Sequence, residues 1–146
     1  MAKIERFEDI EAWKEARKLV REIYEVTRQG GFRQDRGLQD QLRRAAVSVM
    51  ANIAEGFDAG STQEFQRFLL YALRSSSEVQ SHLYVALDQG YLDDKSFALL
   101  YGQSRSVKNL IGGFRRYLRS ATLSRSGSRA PTSTAKLEPR TRSRQP

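Results

Sequence analysis

The chain has no cysteine, one histidine (His82), and three prolines, Pro131, Pro139 and Pro146, all behind residue 130. The missing cysteine excludes a disulfide framework, thiolate metal sites and a Cys nucleophile. A lone histidine excludes His–His metal pairs and leaves acid–base chemistry without its usual agent. No run approaches the roughly 20 apolar residues of a membrane span, and the start, MAKIERFEDIEAWKEARK, is charged where a signal peptide is apolar. These absences lead us to expect a cytoplasmic protein without a membrane partner, metal or cofactor. A proline-free stretch of 130 residues leaves helices uninterrupted and favours long ones.

What is present agrees with that. The 146 residues carry 39% hydrophobic side chains, enough to close one modest core. Apolar residues recur at helical spacing in four segments separated by glycine-containing breaks. The first, residues 8–28, carries Ile10, Trp13, Ala16, Leu19, Ile23 and Val26, and Gly30-Gly31 end it. The second, residues 36–57, carries Leu38, Leu42, Ala45, Ala46, Val49 and Ile53. The third opens on Ser61-Thr62-Gln63-Glu64, a capping box, and runs through Phe65, Leu69, Ala72, Val79 and Leu83 to Gly90. The fourth, residues 94–118, follows Asp93-Asp94 and carries Phe97, Leu100, Val107, Ile111 and Leu118. Gly112-Gly113 inside it implies either a close backbone neighbour or fraying. Short links between long helices favour antiparallel neighbours, so the expected fold is an all-α, up-down-up-down four-helix bundle over residues 1–119. Residues 120–146, rich in Ser, Thr, Arg and Pro and without an aromatic residue, read as a disordered basic tail.

Two polar stripes stand out. Arg44, Ser48, Asn52 and Glu55 share one side of the second helix, and Arg74, Ser75 and Glu78 share one side of the third. They form either solvated faces with ordinary surface ion pairs or a polar network between helices or subunits that fixes register. No nucleophile, histidine partner or glycine-rich phosphate loop accompanies them, so no catalytic residue is assigned and the chain reads as a non-enzyme. His82 reads as a surface or hydrogen-bonded residue.

The charge is unevenly placed. Residues 1–95 hold 14 Lys and Arg against 16 Asp and Glu, whereas residues 96–146 hold 11 against 1. In the first helix, glutamates interleave with the cations at pairing distance. In the fourth, Arg105, Lys108, Arg115, Arg116 and Arg119 fall within an arc of about 100° at about 100° per residue. That strip leads into Arg125 and Arg129 and the rest of the tail. Such a set suits a polyphosphate such as RNA or another nucleic acid; a merely solubilising face is the other reading. Aromatic residues on the fourth helix, Tyr101, Phe114 and Tyr117, fit core packing better than base stacking.

Arg43-Arg44-Ala45-Ala46-Val47-Ser48, Asn52-Ile53-Ala54-Glu55-Gly56, Phe65…Arg67-Phe68-Leu69 and Ala72…Ser75…Glu78 together resemble the bacterial four-helix-bundle proteins known as 23S rRNA intervening sequence proteins. The likeness spans about residues 7–118. It implies a homo-oligomer, a ring-like pentamer, with no established enzymatic activity and a role linked to RNA. A distant relation, the accessory protein of diversity-generating retroelements, implies an alternative: a protein–protein scaffold or accessory subunit for a nucleic-acid enzyme such as a reverse transcriptase. Two positions depart from the family pattern. Arg33 stands where Pro is usual, which loosens the expected turn, and Arg74 stands where Gly is usual, so it must reach solvent, a carboxylate such as Glu55 or Glu78, or a ligand.

Overall fold

Four long helices pack in a closed square in a computed structural model that describes residues 3–128, with side chains described as far as residue 121. A 3-10 turn, Phe7–Asp9, precedes α1 (Glu11–Thr27); the short α2 (Gly30–Gln34) leads into α3 (Arg36–Asp58), α4 (Thr62–Asp88) and α5 (Asp94–Ser128). α1 packs on α3, α3 on α4, α4 on α5, and α5 back on α1. Ring contacts fix the directions. Phe65 near the start of α4 meets Phe114 late in α5 at 5.3 Å, while Tyr84 near the end of α4 meets Phe97 early in α5 at 4.9 Å. The bundle is therefore up-down-up-down, as its short connections require.

Each helix buries the stripe that its periodicity marks. Leu19 and Ile23 of α1, Leu42, Val49 and Ile53 of α3, Leu69, Val79 and Leu83 of α4, and Val107 and Ile111 of α5 are almost wholly enclosed. Small residues let α3 and α4 approach closely. At Gly56 an added Cβ would stand 2.7 Å from the Cβ of Phe68, a distance that real Cβ atoms do not adopt.

Caps set the ends. The Ser61 hydroxyl accepts from the Glu64 N–H at 3.1 Å, the Asp35 carboxylate from the Leu38 N–H at 3.0 Å, and the Asp93 carboxylate from the Ser96 N–H at 2.7 Å. α4 closes in a Schellman turn: Gly90 sits at φ +78°, and the Tyr91 N–H donates to the Ala86 carbonyl at 2.9 Å. Tyr91 then latches this end. Its ring packs 5.2 Å from Phe32 of α2, and its hydroxyl donates to Asp35 at 3.0 Å, a bond that raises the phenol above its ordinary titration range.

Three expectations are corrected. Gly30-Gly31 do not simply end the first helix: after Gln29 the chain turns through Gly30 at φ +50° and starts α2, so Arg33 lies in a regular turn of helix with no loosened loop. The Gly112-Gly113 pair neither frays α5 nor admits a neighbouring backbone; its nearest outside atoms belong to Arg116, one turn on. Finally, α5 does not stop at residue 119. It continues helical to Ser128, past Leu118, the last residue seen packed against the core. The rest of the expected tail, residues 129–146, lies outside the described residues.

Candidate nucleic-acid interface

The α4–α5 edge presents an aromatic group followed by cations. Tyr84, Phe97 and Tyr101 form a mutual cluster, with centroids 4.9 Å (84–97), 5.5 Å (84–101) and 5.3 Å (97–101) apart. Tyr84 is half exposed, at 50%. On α5, Phe97 and Tyr101 share the helix face on which the cations fall, so the row runs directly from rings to charges. The Arg105 guanidinium lies 5.2 Å from the Tyr101 centroid, which orders an otherwise exposed cation. Lys108 Nζ donates to Ser77 Oγ at 2.9 Å and Gln80 Oε1 at 3.2 Å across the groove to α4.

Further along, the strip loses uniformity. Arg116 and Arg119 are exposed, whereas Arg115 is half-buried, with its Nε shut off from solvent and unpartnered. Arg125 falls within α5, and Arg129 lies outside the described residues. Arg105 to Arg119 span about 21 Å at 1.5 Å per residue. Among the described residues, none of Arg105, Lys108, Arg115, Arg116 or Arg119 is ion-paired with a carboxylate. Among the described residues the charge of this face is thus unpaired, and the ion pairs that do form lie elsewhere, such as Arg67–Glu64 at 2.7 Å and Lys18–Glu15 at 3.1 Å.

The two polar stripes meet only in part. Ser48 Oγ and Ser75 Oγ are hydrogen-bonded across α3 and α4 at 2.8 Å, and Asn52 Nδ2 donates to the Ser48 carbonyl at 2.9 Å and to its Oγ at 3.0 Å. Arg44 and Glu55 stay outside this group. Glu78 instead lies 3.4 Å from His82, one turn along the same helix. Arg74 reaches neither Glu55 nor Glu78; it is exposed, with its guanidinium 6.0 Å from the Tyr71 ring. The hydrogen-bonded network is therefore three small neutral side chains; of the charged candidates, Glu78 turns to His82 and Arg74 to the Tyr71 ring.

Sequence reasoning missed two things. Tyr84, off the buried stripe of α4, signalled the exposed aromatic cluster. Arg43, quoted only as part of a motif, donates its Nε–H to the buried Thr27 hydroxyl at 2.9 Å and covers the Tyr24 ring at 4.4 Å. Among the described residues, no three His, Cys, Asp or Glu side chains are grouped to hold a metal, and no helix is long and apolar enough to cross a membrane.

A family model described as 23S rRNA-intervening sequence protein matches residues 8–113, most of the chain. The chain belongs to this family. Its fold is also that of a solved structure, a protein of unknown function from the S23 ribosomal protein family of Bacteroides thetaiotaomicron. The two share 18% identity and superpose with a TM-score of 0.67 over 72% of this chain and 95% of that one. No curated protein matches the chain. The family match ends at residue 113, so it takes in Arg105 and Lys108 but not Arg115, Arg116 and Arg119.

Proposed function

We propose that this family member is a non-enzymatic, homo-oligomeric bundle that binds RNA or another nucleic acid along the α5 face. The observation that carries this reading is the row of cations from Arg105 to Arg119, unpaired with carboxylates and continuous with the Tyr84–Phe97–Tyr101 cluster. Phosphates draw affinity from such cations by releasing counterions, and a half-exposed ring offers a base a stacking surface without reading its identity. Binding is therefore expected to be tolerant of sequence. Repetition of the face around an oligomer, a pentamer by family likeness, would add avidity.

The test is fluorescence anisotropy of a labelled single-stranded RNA over a salt series. Affinity should fall steeply with salt, and R105A/R116A/R119A should flatten the log–log slope by roughly 0.7 per lost phosphate contact. Salt-independent binding, or none at low salt, overturns the proposal.

A second reading is an oligomeric scaffold or accessory subunit for a nucleic-acid enzyme. It draws on an apolar hollow of about 460 Å³ between the N-terminal segment and α5, lined by Ile4, Ile10, Leu110, Phe114 and Tyr117. Partners that survive nuclease treatment in a pull-down would favour it.

A further inference from the structure

A different end of the bundle gathers cations that the α5 reading does not use. Where α1 ends, α2 turns and α3 begins, a cleft of about 540 Å³ is lined by Arg28, Arg33, Arg36 and Arg43, with Asp40 the single carboxylate in its wall. Arg28 is joined to Glu25 at 3.4 Å. Counting both carboxylates, four guanidinium groups face two negative charges. Among the described residues, the side chains of Arg33 and Arg36 have no hydrogen-bond or ion-pair partner, although Asp40 stands one turn after Arg36. The start of α3 adds no further positive field, because the Asp35 carboxylate caps it by accepting the Leu38 N–H at 3.0 Å, so the charge of the cleft is that of the arginines themselves.

Arg43 is the fixed member. The Thr27 hydroxyl spends its proton on the Ile23 carbonyl at 2.7 Å, so its oxygen is an acceptor and takes the Arg43 Nε–H at 2.9 Å. The Tyr24 ring, 4.4 Å from the guanidinium, holds its plane. One N–H is thereby used and the four N–H of the two terminal amino groups are left without a protein partner, in the fork geometry that binds phosphate oxygens in pairs. A second hollow of about 360 Å³, lined by Tyr24, Arg43, Arg44, Val47 and Ser48, continues from the same side chain.

We propose that this cleft is a phosphate site distinct from the α5 face, taking two or three adjacent phosphates of one ligand. Collecting four arginines costs repulsion that an anion of multiple charge removes, and the cleft exceeds what a single carboxylate fills, matching the size of small-ligand sites. The chemistry is shared by a free oligophosphate and by consecutive phosphates of an RNA chain, and competition separates the two sources. The proposal stands independently of the α5 reading.

The test is calorimetric titration of the full chain with inorganic tripolyphosphate at low salt. Saturable binding should weaken at least tenfold in R33A/R36A and less than twofold in R105A/R116A. Both variants should melt with the wild type, since these side chains lie outside the core. R43K is a second probe: it keeps the charge and loses the anchored fork, and it should also weaken binding. No saturable heat, or equal weakening by the two double variants, overturns the proposal. An oligoribonucleotide without a terminal phosphate that displaces tripolyphosphate assigns the cleft to RNA backbone phosphates; failure to displace assigns it to a free oligophosphate.

Discussion

The glycines of this chain divide by what surrounds them. Gly56 is buried, and a methyl group there would collide with Phe68 at 2.7 Å and Phe65 at 2.9 Å, so Gly56→Ala should destabilise by about 1–3 kcal/mol despite the better helix propensity of alanine. An added Cβ at Gly102 would meet nothing within 4 Å beyond its own helix backbone, so Gly102→Ala should stabilise by about 0.5–1 kcal/mol. Urea unfolding of the pair decides it: equal effects would refute the packing given for the α3–α4 contact. Ser48 is the hub of the small polar group, bonding Ser75 at 2.8 Å and receiving Asn52 at 3.0 Å. Ser48→Ala takes the partner from Ser75 and leaves Asn52 only the Ser48 carbonyl, and should cost about 1 kcal/mol, measured in the same way.

At the scale of the element, the caps make two helix ends acid-sensitive. Asp93 accepts the Ser96 N–H at the head of α5, and Asp9 accepts the N–H groups of Glu5 and Arg6 at the turn before α1. The Ser96 bonds hold the Asp93 carboxyl below its ordinary range, and the Glu5 N–H does the same for Asp9. A carboxylate whose pKa is lowered by folding stabilises the fold above its unfolded value and loses that contribution as the pH falls through the lowered one. The melting temperature should therefore drop below about pH 4, and D93N, which keeps a capping oxygen but cannot be protonated there, should show a shallower drop. Thermal melts from pH 7 to pH 2 measure both; parallel curves would remove Asp93 from the account. Ser61→Ala, at a neutral cap, should lower stability by about 1 kcal/mol at every pH in that range.

Across the whole molecule, two groups of cations stand out. One lies on α5 and is continuous in sequence; the other is assembled from α1, α2 and α3. Because α5 is helical to Ser128, a truncation at residue 120 would cut a helix, whereas one after Ser128 keeps α5 whole. Truncation after Ser128 should leave the melting temperature unchanged and reduce the salt slope of RNA binding, because it removes Arg129, Lys136, Arg140, Arg142 and Arg144. Anisotropy titration of the truncated chain gives the slope, and an unchanged value would place binding entirely on the remaining residues.

The helices and their buried faces were legible from the residues themselves. Leu42, Val49 and Ile53 recur at helical spacing because one side of α3 has to leave water, and Ser61 and Asp93 mark helix starts through bonds made within four residues. The row Arg105–Arg119 was legible for the same reason, since one helix carries it. What tertiary structure alone decided depends on where different helices end beside each other. The Ser48–Ser75 bond joins residues 27 positions apart, and Glu78, grouped with them by periodicity, turns instead to His82. Arg43 is fixed by Thr27, 16 positions earlier, and Arg28 at the end of α1 lines one cleft with Arg33 and Arg36 only because α2 folds back beside it. Spacing along a chain reports which side of a helix a residue occupies; only packing brings cations from three helices into one cleft.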